Sequence, residues 1–540
     1  MTTQDSSIAR SSMAMAGGTI TSRLLGFVRQ FLIVAAIGQG LTGEAFTAAN
    51  TLPNVIFMLI AGGVLNSVLV PQLVRAAGNP DGGKEFTDRI LTVAGSGILA
   101  VALVSTAASP LLVRLVSRLD DDAIALATMF AFITLPQIFF YGMYALLGQV
   151  LNARGQFAAF GWSPALANVV GIAGLLAFMA MFPRNAPVTS WTTSMVWWFA
   201  GSATLGIAAQ AVFLLIPLRR RGFRFTPRWG LRGVGLGAAS RLARWAFGAL
   251  VVSQLGYVVA SNVMTHSSAQ QEQLGRFIPG IAVYSYALLV FTMPHSFVAL
   301  SVITAMYPRI SRAAHAGDHA ALRRDYRRGL TGPTALTLPA SFALLVLALP
   351  VAQLLVSRPE EVGPTAHVIA AMALGIVPFG VDVLNQRFFY AHEDGRMALL
   401  EQVVLTGSAT LINLTALWFA PDLTVVIVAG GIVASNVVSS LFGMWFIRRR
   451  IGRIGGGDVL RGYVRMGVAA GASAGAAWAA SLALGGVLGG RSGALAVLAV
   501  SGLVFGVGYL ALARLLNIRE VWEALRPVTS RVGRLTRRGA

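Results

Sequence analysis

Fourteen apolar stretches, each long enough to cross a bilayer as a helix, divide this sequence, and its arginines gather on alternate sides of them. A hydrocarbon core takes about 20 apolar residues per helix. The stretches occupy residues 11–38, 45–74, 90–113, 123–151, 158–182, 194–218, 245–264, 277–308, 331–357, 365–386, 397–420, 423–447, 466–488 and 493–513. The N-terminus, the even-numbered loops and the C-terminal tail hold 34 of the 42 Lys and Arg residues; the odd-numbered loops hold 6 and the first span 2. The positive-inside rule then orients a multi-pass protein with both termini in the cytoplasm.

With 56% hydrophobic and 12% charged residues and a mean hydropathy of +0.70, the chain lies far outside the soluble globular range. Its net charge of +21 is spread over many short loops, so the expected partner is anionic membrane lipid and not nucleic acid. With no Cys in the sequence, disulfides, thiolate metal sites and a Cys nucleophile are excluded. The first apolar stretch is too long for a cleavable signal and carries two Arg, so it reads as a retained helix.

The sequence also repeats itself. Ser67 to Ala77, with Pro71 and Arg75, aligns without a gap on Thr304 to Ala314, with Pro308 and Arg312, and Pro136 and Arg154 echo Pro378 and Arg396. The expected fold is therefore an all-α polytopic membrane protein of 14 transmembrane helices: two six-helix halves related by an axis along the membrane normal, plus two C-terminal helices. The expected organisation is an N-lobe at 1–218, a basic cytoplasmic linker at 219–244, a C-lobe at 245–450, a helix pair at 451–516 and a tail at 517–540. In the tail, Ile518, Val521, Trp522, Leu525, Val528, Val532 and Leu535 follow helical spacing opposite many Arg, as in an interfacial amphipathic helix.

Charges inside spans are costly and mark cavities or partners. Arg23 and Arg29 share the first span, six residues apart and so about 120° apart around the axis. With no acid beside them in that span, they suggest an anion site, because guanidinium grips phosphate through a bidentate fork; the alternative is that Arg29 snorkels and Arg23 pairs elsewhere. Glu44 is their partner, a proton acceptor, or an ordinary acid at a helix N-terminus. Asp382, near Asn385 and Gln386, is a structural pairing or a coupling group. His295 is a packed neutral imidazole or a titrating one. Pro53, Gly62, Gly63 and Pro294 are candidate hinges.

No HExxH, GxSxG or Walker-type loop is present, so the chain reads as a transporter and not an enzyme, without a cofactor or bound metal. Energy then comes from a coupling ion, the membrane potential or downstream consumption of the substrate. Asp120-Asp-Asp122, the best candidate for an acidic catalytic cluster, reads more simply as a solvated turn.

Thr21-Ser-Arg23-Leu-Leu-Gly26-Phe-Val-Arg29, followed by Gly43-Glu44-Ala-Phe46, Leu52-Pro53-Asn54, Gly62-Gly63-Val and Val70-Pro71, resembles the MurJ/MviN lipid II flippase family of the multidrug/oligosaccharidyl-lipid/polysaccharide exporter superfamily. The likeness continues through Leu151-Asn152, Pro164, Asn168, Tyr286, Pro294-His295, Ser301 to Thr304, Pro308 and Phe389-Tyr390. It implies transfer of undecaprenyl-pyrophosphate-linked peptidoglycan precursor from the inner to the outer leaflet by alternating access. In that family Arg23 and Arg29 would hold the pyrophosphate, and the last two helices would offer a groove to the polyprenyl tail. Phe57 and Leu289 stand where many members have arginine, so the cavity is less cationic. The competing readings are a flippase for another polyprenyl-linked glycan, a drug exporter of the same superfamily, a polyprenyl-phosphate enzyme, and a scaffold for cell-wall synthesis proteins.

Overall fold

The computed structural model describes residues 3–61, 83–153, 156–220, 222–230, 241–296, 300–356 and 358–524. Gly62, Gly63, Arg154, the first copy of the repeat at 67–77 and the tail beyond 524 lie outside them. Among the described residues every regular element is helical: α1 (Thr3–Ile37), α2 (Leu41–Ile60), α3 (Lys84–Ala107), α4 (Ser109–Val116), α5 (Asp121–Thr134), α6 (Gln137–Ala153), α7 (Phe157–Met181), α8 (Thr193–Phe213), α9 (Leu215–Arg220), α10 (Arg241–Ser268), α11 (Ile281–Pro294), α12 (Leu300–His315), α13 (His319–Val346), α14 (Ala348–Leu355), α15 (Pro359–Ala373), α16 (Ile376–Ala391), α17 (Gly395–Thr415), α18 (Thr424–Ile451), α19 (Gly456–Gly485) and α20 (Gly490–Leu515), with single turns between.

Eleven of these helical segments are long and apolar enough to cross a bilayer, and twelve if α15 and α16, bent by 45°, form one span. The second and eighth windows make up the difference from fourteen. Residues 62–74 of the second window and 297–299 of the eighth lie outside the described residues; what is described of them includes α2 and α11. Lipid-facing surface is plain in both parts of the chain: Leu103, Val104, Leu111 and Leu205 are 61–70% exposed, as are Leu411, Leu495 and Leu503. Water would not tolerate such continuous apolar exposure; hydrocarbon favours it.

In hydrocarbon, backbone groups freed at helix breaks need internal partners. Asp120, Thr192, Asp318 and Asp394 cap four helices by accepting from the amides of Ala123, Met195, Ala321 and Met397, each cap being worth about 1 kcal/mol. Asp120 is thus a helix cap, and Asp121 and Asp122 form the first turn of α5 where a turn was expected. Prolines are handled similarly. Pro53 cannot donate to Ala49, and the Thr134 hydroxyl donates to that carbonyl at 3.4 Å. Pro339 frees the Ala335 carbonyl, which accepts from the Tyr509 hydroxyl at 2.8 Å.

The chain divides into two compact units, Met1–Ala282 and Val283–Ala540. The division falls past α10, and not at the basic linker, because α10 is bonded to α4 and its end: Ser261 and Asn262 donate to the Val116 and Leu115 carbonyls, and the Arg118 amide donates to Thr265. At the centre of the first unit Phe46, Phe130, Phe178, Trp191 and Phe199 interlock, with ring centroids 4.8–6.1 Å apart. In the second unit α19 and α20 meet through Ala469, Ala470, Ser473 and Ala477 against Phe505, Tyr509 and Ala513, and both lean on Ala335 of α13. Of the tail, Ile518 and Val521 are buried in this cluster while Trp522 is half exposed.

Candidate functional site

α1 owes its place to small residues facing α7. A Cβ at Gly18 would lie 2.6 Å from the Gly161 carbonyl oxygen, and one at Gly26 would touch the Asn168 amide. Asn168 donates to the Ser22 carbonyl at 2.8 Å, fixing the register. One turn further on, the Arg29 side chain crosses Gly171, whose missing Cβ would sit 2.9 Å from the Arg29 Cδ. The half-buried guanidinium thereby reaches a cavity of about 30 Å³ lined by Phe46, Asn50, Gln137, Tyr141, Ser202 and others. Its Nε is buried without a hydrogen-bond partner. That volume takes a water molecule and nothing larger. Arg23, two turns earlier, is also half-buried.

Phe57, at the position where a further arginine was weighed, stacks on Tyr141 with centroids 5.6 Å apart. Tyr141 lines the cavity, and Phe57 braces its ring from behind. Leu289 is half-buried in α11.

Glu44 is only 1% exposed, and it forms no ion pair among the described residues. Its Oε2 accepts from the Ile281 amide at 2.7 Å and the Ser268 hydroxyl at 3.3 Å, and its Oε1 from the Ala282 amide at 2.8 Å. It caps the N-terminus of α11, where the helix dipole favours negative charge. Gly280 leaves room for the carboxylate, and a Cβ at Gly43 would strike the Gly38 carbonyl oxygen at 2.5 Å. Both amides belong to the first unit.

In the second unit Asp382 is buried and accepts from the Ser439 hydroxyl at 2.5 Å and the Gln386 amide at 3.4 Å. Beside it lies Glu401, fully buried, with no hydrogen bond of good geometry to either oxygen among the described residues. The same Ser439 hydroxyl also approaches the Glu401 carbonyl at 3.4 Å. Asn385 accepts from the Tyr326 hydroxyl at 2.5 Å and donates to the Ser440 carbonyl at 3.1 Å. Gly443 opens the space: a side chain there would overlap both Glu401 and Asn385. Glu401 was not singled out from the sequence, although an acid inside the 397–420 window satisfies the same rule that drew attention to Asp382. His295 is 6% exposed, its ring 4.4 Å from that of Phe379 and its Nδ1 unpartnered. The structure thus gathers Asp382 and Glu401 into one cluster and Arg29 with Tyr141 into another, within separate units.

The sequence profile described as "Lipid II flippase MurJ" matches residues 33–489. This chain belongs to the MurJ lipid II flippase family. A probable MurJ of Rhizobium meliloti (strain 1021) is 27% identical over 447 residues, covering 80% of this chain and 78% of that protein. The MurJ of Burkholderia cenocepacia is 25% identical over 388 residues, 70% of each chain. A solved structure titled "Lipid II flippase MurJ, inward closed conformation" superposes with a TM-score of 0.71 at 16% identity, covering 93% of this chain and 99% of that one. An inward-facing multidrug resistance MATE transporter of the MOP superfamily gives 0.63 at 16% identity, over 80% and 95%. Both share the fold with this MurJ-family chain.

Proposed function

We propose that this chain is a lipid II flippase, moving undecaprenyl-pyrophosphate-linked peptidoglycan precursor from the inner to the outer leaflet of the bacterial cell membrane by alternating access. Family membership over residues 33–489 supports the substrate. The observation that carries the site is Arg29, a cation in the bilayer with a buried nitrogen that has no partner. A diphosphate supplies the acceptors that nitrogen lacks. The 30 Å³ cavity is too small for it, so substrate meets Arg29 and Arg23 in a wider conformation of the lobe.

In this reading residues 1–218 and 245–450 are the two lobes, 219–244 the cytoplasmic linker, 451–516 the pair beside which the polyprenyl tail travels, and 517–540 a tail on anionic headgroups, with both termini cytoplasmic. Pro53 and Pro294 are its flexing points. Coupling to an ion or to the membrane potential is assigned to Asp382 and Glu401, with His295 the second candidate; Glu44 is a cap. No cofactor or catalytic step is invoked.

The test reads lipid II in the outer leaflet with a probe that cannot cross the membrane. Depletion of the protein is expected to abolish exposure, and Arg29→Ala or Arg23→Ala is expected to fail to restore it at normal membrane levels. Full rescue by the double variant would remove the diphosphate site.

A further inference from the structure

A cavity of about 930 Å³ in the first unit has no part in the reading above. It runs along the outside of the first unit, between Leu91 to Leu99 of α3 and Phe139, Met143 and Leu147 of α6. Its open side is apolar, with Leu99 42% exposed. Its other end is cationic: Arg219 lies in the last turn of α9, and Arg224 is the second residue of a strap, residues 223–229, that roofs the groove and ends in Trp229, 73% exposed.

The strap is fastened. Thr226 donates to Asp88 at 2.6 Å, Lys84 donates to the same carboxylate oxygen at 2.6 Å and to Thr226 at 3.0 Å, and the Arg228 amide donates to Thr92 at 3.0 Å. Arg228 itself pairs with Glu85 at 3.0 Å, and Glu85 also holds Arg89. The acids at this end are therefore committed to other partners. Arg219 and Arg224 have no ion-pair partner among the described residues.

We propose that this groove binds an anionic phospholipid of the surrounding leaflet, with the phosphate held by Arg219 and Arg224 beneath the strap and an acyl chain lying along Leu91, Leu99 and Met143. Charge and length argue for that occupant. Two unpaired guanidinium groups match a phosphodiester headgroup. The apolar wall from Leu91 to Leu99 is about 12 Å of helix, close to the depth of one leaflet's hydrocarbon, about 15 Å, and far short of a polyprenyl chain. Trp229 stands at the headgroup level, where indole is favoured. This inference is independent of what the protein transports.

The experiment is native mass spectrometry of the full-length protein released from detergent, titrated with phosphatidylglycerol or phosphatidylcholine. Wild type is expected to retain one phosphatidylglycerol preferentially. Arg219→Ala/Arg224→Ala is expected to weaken that binding roughly thirtyfold, at the usual strength of two surface arginines, and Leu99→Trp, which fills the groove and keeps both cations, is expected to weaken it too. The exposed pair Arg461→Ala/Arg465→Ala is the control and is expected to retain the lipid. Equal retention of both lipids by wild type, or an equal loss in the control, would overturn the site. So would displacement of phosphatidylglycerol from wild type by undecaprenyl pyrophosphate at equal concentration, which would make the groove a substrate site.

Discussion

Single residues divide the buried charges of this protein into those whose polar atoms are satisfied within the fold and those with an atom left unpartnered among the described residues. Glu44 is of the first kind: three donors converge on it, two of them backbone amides. In Glu44→Gln one of the two oxygens becomes an N–H donor facing an amide, leaving that amide unsatisfied at a cost of about 1–3 kcal/mol. The expected outcome is a lower thermal midpoint in detergent, with outer-leaflet lipid II still rising in cells that contain the variant. An unchanged midpoint with lost transport would return Glu44 to a coupling role. Arg29, whose Nε has no partner, is of the second kind. Its place inside an apolar window was legible from the sequence, because a cation there stands out; the destination of Glu44 was not, because its partners lie more than 220 residues away. Glu401 was missed although it is equally conspicuous by its neighbours, since Asp382 alone had Asn and Gln one turn on to suggest a cluster.

At the level of helices, the recurring device is a proline paired with a hydroxyl from a neighbouring element. Pro53 and Thr134, and Pro339 and Tyr509, each join a break in one helix to a side chain on another. Tyr509→Phe leaves the Ala335 carbonyl without its partner and is expected to destabilise the α13–α20 contact by about 1 kcal/mol, measured by the thermal midpoint, while Tyr463→Phe is the contrasting case with a smaller expected shift, because the Leu330 carbonyl it bonds also accepts from the Thr334 hydroxyl. No shift in Tyr509→Phe would mean that water satisfies the Ala335 carbonyl. Most helices were legible because twenty apolar residues admit few other structures in a membrane. The breaks were less so. The sequence marks Pro53 and Pro294, but whether a proline bends a span, ends it or sits quietly depends on the donor that reaches the freed carbonyl, and that donor is remote in sequence.

For the molecule as a whole, the charge count and the apolar windows carried the all-helical membrane fold, while the attachment of α10 to α4 could not be read from them. The basic linker looks like a natural border, yet α10 beyond it is hydrogen-bonded to the first unit. That arrangement bears on how the protein is made. Glu44 enters the membrane early in synthesis, but the amides that accept its charge are at Ile281 and Ala282 and leave the ribosome 237 and 238 residues later. Until then a carboxylate with no final partner waits inside a half-built bundle. A fragment ending at Arg244 is expected to be cleared by membrane proteases in pulse-chase labelling, one ending at Met293 to persist, and Glu44→Ala to narrow the gap between them; equal lifetimes would show that the waiting state carries no penalty. The lobe's assembly is in this sense clocked by translation, with its closing latch encoded more than two hundred codons downstream of the residue it secures.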